Sequence, residues 1–101
     1  MLDHRTETFM AVCNVMNYRE AAELLHITQP AVTQHIQFLE KEYGCRLFLY
    51  ENRKLIKTPA AQMLEDYLRS VQQRENFLRE KIKTMVSGNC VSVQPRPLVT
   101  M

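Results

Sequence analysis

The sequence predicts a mainly α-helical fold with one small β-hairpin: three short helices, the hairpin, and one long helix after it. Three observations predict this. Apolar residues recur at three- and four-residue spacing in separate stretches. Residues suited to helix ends stand at Asn17, Thr28, Gly44 and Thr58. Between Gly44 and Thr58 the helical period gives way to two short apolar runs around a polar turn.

The first helix is expected from Arg5 to Met16, where Phe9, Val12, Cys13 and Met16 form one buried stripe. Asn17 offers an N-cap and Glu20 the matching acid of a capping box, so a second helix runs from Tyr18 to Leu25. Its small pair Ala21 and Ala22 admits a close neighbour, while Leu24 and Leu25 fill the core. His26-Ile27-Thr28 is too short to be more than a tight connection. Thr28 caps a third helix, Pro30 is tolerated in its first turn because the missing N–H has no intrahelical partner there, and Gly44 ends it after about Tyr43. Val32, Ile36, Leu39 and Tyr43 share one face of that helix. The other face carries Pro30, Thr33, Gln34, Gln37 and Lys41, rich in amides and nearly free of carboxylates.

Arg46 to Tyr50 and Leu55 to Lys57 read as strands around the turn Glu51 to Lys54, a hairpin that forms a wing. Thr58 followed by Pro59 then opens a helix expected to reach about Val86, about 40 Å at 1.5 Å per residue. Leu64, Val71, Leu78 and Met85 recur every seven residues along it, with Leu68 and Ile82 between them and Glu75 interrupting. Its first turns, with Met63, Leu64 and Tyr67, are expected to pack on the body. Leu68, Val71, Leu78, Ile82 and Met85 are assigned to pairing with a second copy, because so long a stripe outruns so small a body. The organisation is therefore a winged domain over 1–58, a linker and dimerisation helix over 59–86, and a flexible tail over 87–101.

A chain of 101 residues holds one such domain. At 46% hydrophobic and 24% charged residues it is composed like an ordinary globular protein, and no apolar run suits a membrane span or an export signal, so the expected location is cytoplasmic. Cys13, Cys45 and Cys90 are odd in number and irregularly spaced, which suits neither a disulfide framework nor a zinc site. His26 and His35 lack a third ligand at metal-binding spacing, so no metal and no other cofactor is expected. No nucleophile with a base and no pair of carboxylates is evident, and two glycines cannot build a phosphate-cradling loop, which argues against an enzyme. The formal charge of +2 says little, but Lys41, Arg46, Arg53, Lys54 and Lys57 gather in one stretch.

Two helices around a tight turn, the second with a polar acid-free face, make a helix-turn-helix. The major groove of DNA admits one helix, and its base edges match the donors and acceptors of Gln and Thr. Gln29, Pro30, Thr33 and Gln34 are the candidate base contacts. Thr28, Gln37, Arg46, Arg53 and Lys54 are the candidates for backbone or wing contacts.

The run from Ala21 to Ile36, then Leu39-Glu40, then Gly44 to Phe48, closely resembles the N-terminal domain of LysR-type transcriptional regulators. The resemblance covers about residues 1–86 and implies a winged helix-turn-helix that binds dyad-symmetric promoter DNA as a dimer through an antiparallel linker helix. It also implies DNA contacts from Gln29, Pro30, Thr33, Gln34 and Arg53. Thr6 and Lys57 stand where the family usually has Leu, Ala61 where Gly is common, and Tyr50 replaces a frequent Arg, which shifts weight to Arg46, Arg53 and Lys54. Family members add a two-lobed ligand-sensing domain after the linker helix. Its absence here is expected of an excised piece or an interrupted reading frame, and leaves no small-molecule ligand to this chain; tetramers belong to a full-length form. A different class of function, capture of an intact regulator into an inactive heterodimer, shares the linker stripe but calls for weak DNA binding by the chain alone.

Overall fold

The computed structural model describes residues 3–88. Its elements are α1 (His4–Val15), α2 (Tyr18–Leu25), α3 (Gln29–Tyr43), β1 (Phe48–Glu51), β2 (Lys54–Lys57) and α4 (Pro59–Gly88). Ser87 and Gly88, expected in the tail, close α4, and the rest of the expected tail, from position 89 onward, lies outside the described residues, as does Cys90. The described chain divides into a unit ending at Ser70 and a second beginning at Val71.

Side chains at the helix ends explain the boundaries. Asp3 caps α1, accepting from the N–H groups of Arg5 and Thr6 at 3.0 Å each, while its own N–H donates to the Thr6 hydroxyl. That closed capping box was not read from the sequence, whereas the one expected at Asn17 is half made. Asn17 Oδ1 accepts from the Glu20 N–H at 2.9 Å, and no return bond from the Glu20 carboxylate is present among the described residues. Met16 and His26 sit at positive φ as C-caps, Met16 ending the first helix one residue before the expected end. Gly44 does the same for α3 with φ 70°, the conformation glycine adopts without a Cβ penalty.

The core of the first unit is built around α1. Six consecutive residues, Thr8 to Cys13, are buried, so this helix is covered nearly all round rather than along the single predicted stripe. Ala21 and Ala22 let α2 close on it, and Val32, Ile36 and Leu39 pack from α3. Phe48 enters from β1 beside Phe9 at 5.6 Å between ring centres and Tyr18 at 6.2 Å. Ala61, Leu64 and Leu68 complete it from α4.

Four sequence expectations are corrected here. Leu24 and Tyr43 are exposed, and it is Leu25 that packs against the core from the last turn of α2. Met63 and Tyr67 are exposed too, leaving Leu64 as the one of that trio in the core. Leu68, assigned to the partner seam, is only 5% exposed in its own chain's core. A heptad stripe does not mark the residue at which the body stops covering it. In the second unit Phe77, Leu78, Ile82, Met85 and Val86 are exposed along the helix.

The strands pair antiparallel with Phe48 opposite Lys57 and Glu51 opposite Lys54. The turn is therefore the pair Asn52 and Arg53, tighter than the four residues expected.

Candidate nucleic-acid interface

The polar face of α3 begins at its cap. Thr28 Oγ1 accepts from the Ala31 N–H at 3.2 Å, and no acid stands in the first turn to offset the positive end of the helix dipole there. Gln29, Pro30, Thr33 and Gln34 line one shallow open depression on that face. Gln37 follows Thr33 and Pro30 on the same side and is exposed. The structure thus brings together the residues singled out as base contacts, on a helix held rigid beneath by Val32, Ile36 and Leu39.

One further tie fixes the helix. The buried Thr8 hydroxyl donates to the His4 carbonyl at 2.9 Å and lies 2.8 Å from His35 Nδ1. Since the hydroxyl proton is used on His4, Nδ1 is the donor in that second bond. Burial and the neighbouring positive charges of His4 and Arg5 hold the His35 imidazole below its ordinary pKa.

The wing is held by an acid to which the sequence reading gave no role. Glu40 Oε2 accepts from the Leu47 N–H at 2.8 Å and from Arg46 Nε at 3.3 Å. Arg46 also donates to the Phe48 carbonyl at 3.3 Å. Arg46 therefore braces the lead-in to β1, the local ion pair that competes with a phosphate contact. Nothing in the local spacing marks Glu40, whose partners stand six and seven residues on, past the end of α3. Lys57 is likewise engaged, with Glu65 at 2.6 Å. Of the basic stretch, Lys41, Arg53 and Lys54 are left exposed and, among the described residues, outside any ion pair.

Arg53 stands at the wing tip with φ 63° and Asn52 beside it with φ 51°. Both central residues at positive φ is the type I′ arrangement, whose preferred second residue is glycine. Asn tolerates that region; Arg pays about 1–2 kcal/mol for its Cβ. Arg53→Gly is expected to raise stability by about 0.5–1 kcal/mol after the added chain entropy of glycine. Thermal melting checks it, and an unchanged or lower midpoint would mean the turn is unstrained.

Residues 4–62 match the model of a bacterial regulatory helix-turn-helix protein family, the lysR family. The chain is 40% identical over 82 residues to an uncharacterized HTH-type transcriptional regulator, YxjO of Bacillus subtilis, covering 81% of this chain and 28% of that protein. It is 38% identical over 74 residues to the HTH-type transcriptional regulator CitR of the same organism, covering 72% of this chain and 25% of that one. The chain thus spans under a third of the length of these relatives. Among solved structures, a transcriptional regulator of the LysR family from Eggerthella lenta is similar at 58% identity and TM-score 0.66, over 68% of this chain and 99% of that one. The BenM DNA-binding domain, solved as a complex with catB site 1 DNA, is similar at 27% identity and TM-score 0.76, over 87% of this chain and 95% of that one. The winged architecture, the acid-free start of α3 and these matches lead to one conclusion: the chain belongs to the lysR family of bacterial regulatory helix-turn-helix proteins.

Proposed function

We propose that this chain binds duplex DNA sequence-specifically in the cytoplasm as a transcriptional regulator, with α3 in the major groove and the wing on the backbone. The observation that carries the reading is the depression lined by Gln29, Pro30, Thr33 and Gln34 on an acid-free helix N-terminus, in the same unit as the exposed cations of the wing. Gln29 and Gln34 pair with base edges, Thr33 reaches a base or a thymine methyl, and Thr28 with the helix N-terminus meets a phosphate. Gln37, Arg53 and Lys54 add backbone contacts. The solved DNA complex of the BenM domain supports this mode.

The chain acts as a homodimer on dyad-symmetric sites. Residues 59–86 serve as the linker helix, and its seam runs through Val71, Leu78, Ile82 and Met85, since Leu68 is already spent on the core. The exposure of Leu78, Ile82 and Met85 supports that assignment.

Selection of bound duplexes from random DNA tests the reading, and the spacing of the recovered half-sites reports the dimer. Against a selected site, Gln34→Ala is expected to cost about 1–3 kcal/mol and to relax preference at one position. Arg53→Ala should weaken binding to all sequences and lower the salt slope by about one. If no sequence is enriched and neither variant changes binding, the proposed recognition surface is wrong.

A further inference from the structure

Beside the face already described stands an aromatic residue that neither the turn nor the wing uses. Phe38 lies four residues after Gln34, which lies four after Pro30, so the three form one continuous ridge along α3. Phe38 is 43% exposed although it is large and apolar. The Arg5 guanidinium, from the first turn of α1, lies over its ring at 3.9 Å from the centre. Stacking of this kind leaves the edge of a guanidinium, with its N–H donors, free to meet an anion in the plane of the fork. Among the described residues, competition is weak. Asp3 Oδ1 is occupied by the backbone N–H groups of Arg5 and Thr6, and the closest approach of Asp3 to Arg5 is a long 3.9 Å from Oδ2.

We infer that Arg5, laid on Phe38 at the border of the α3 recognition ridge, is a DNA-phosphate contact on the side of α3 formed by α1. The inference rests on the DNA-binding reading above and adds a contact to it. A helix seated in the major groove has a phosphate backbone along each flank, and Phe38 occupies the flank next to Gln34. The ring fixes a long, rotamer-rich side chain before binding, so less entropy is lost when the phosphate is met. Arg5 is thus a sequence-independent anchor, and Phe38 is its positioning residue.

The test measures binding of a random-sequence duplex pool and of a selected site across a series of salt concentrations. Arg5→Ala is expected to weaken both by about tenfold in dilute buffer and to lower the slope of log affinity against log salt by about one, with the ranking of sequences unchanged. Arg5→Lys restores the slope but only part of the affinity, because the charge returns without the planar stack. Phe38→Leu keeps the charge and the slope and loses part of the affinity. Melting temperatures of the variants and the response of Arg53→Ala serve as controls. If the Arg5→Ala slope equals that of the wild type while Arg53→Ala still lowers it, the anchor is overturned and the DNA reading stands. If the wild type itself binds no duplex, it is the DNA reading that falls.

Discussion

Glu65→Gln is expected to destabilise the protein by about 3 kcal/mol, toward the low end of what removing one partner of a buried ion pair costs. Glu65 is 4% exposed, which an isolated carboxylate does not tolerate. Lys57 Nζ donates to Oε1 at 2.6 Å, and Arg69 Nε donates to Oε2 at 3.0 Å. Arg69 also donates to Asn14 Oδ1 at 3.0 Å. One carboxylate thus joins the end of β2 to α4, and through Arg69 to α1. The amide of Gln accepts one of these bonds and turns N–H donors toward cations. Both Lys57 and Arg69 are partly exposed and regain some solvation, which is why the expected loss is at the low end. Replacing Glu65 and Lys57 together by Leu should recover only part of it, since Arg69, which also pairs with Glu65, is left to Asn14 and solvent. A double-mutant cycle in urea measures the coupling, and additive losses would show that the pair is not an interacting unit.

The same carboxylate gives a pH dependence with a definite sign. Burial pushes the Glu65 pKa up, but the bonds from Lys57 and Arg69 outweigh it, and the net shift is downward. A depressed pKa means that the folded state holds its proton less tightly than the unfolded state. The stabilisation is therefore present above the unfolded glutamate value of about 4.3 and is lost as pH falls through the folded value. The gap between wild type and Glu65→Gln should be full near neutrality and shrink in acid. Cys13 feels the same acid from the other side. Burial, and then the negative charge of Glu65, push its thiol up to about 12, so it remains an unreactive hydrophobe.

The helices were legible because their signals are local. Asn17, Thr28 and Gly44 each act within a few residues of where they stand, and the apolar period of α3 reports its own inner face. The polar residues opposite it, Pro30, Thr33, Gln34, Gln37 and Lys41, could be placed on one face for the same reason. What could not be read depends on contacts distant in sequence. Glu65 follows Leu64 on α4 and looks like the surface partner of Arg69 one turn on; only the fold brings Lys57 to it, and Asn14 to Arg69. Its sole trace was Lys57, a charge closing an apolar strand where Leu is usual in the resemblance. Leu68 failed for a related reason, because one heptad stripe serves first the chain's own core and then the seam proposed for a partner. The stack of Arg5 on Phe38 spans two helices, and no spacing rule announces it.

Phe48→Ala should be at least as damaging, at about 3–5 kcal/mol. Phe48 is 1% exposed and touches aromatic partners on two helices, Phe9 of α1 and Tyr18 at the start of α2. Truncation leaves a cavity walled by rings that cannot easily collapse, and it also removes the main anchor of the wing. A two-stranded hairpin is marginal on its own in water. Among the described strand residues, Phe48 is the one that is fully buried, with Leu49, Leu55, Ile56 and Lys57 half-covered. The hairpin therefore owes its order to this side chain, to Glu40 at its entrance and to Lys57 at its exit. Hydrogen exchange on Phe48→Ala should show faster opening of the β1 and β2 amides than of α3, with DNA affinity falling as the wing cations lose their fixed position. Tyr50→Ala, on an exposed ring of the same strand, is the control and should stay within about 0.5 kcal/mol of wild type. Equal losses at the two positions would mean that strand pairing, rather than docking on the Phe9 and Tyr18 rings, holds the wing in place.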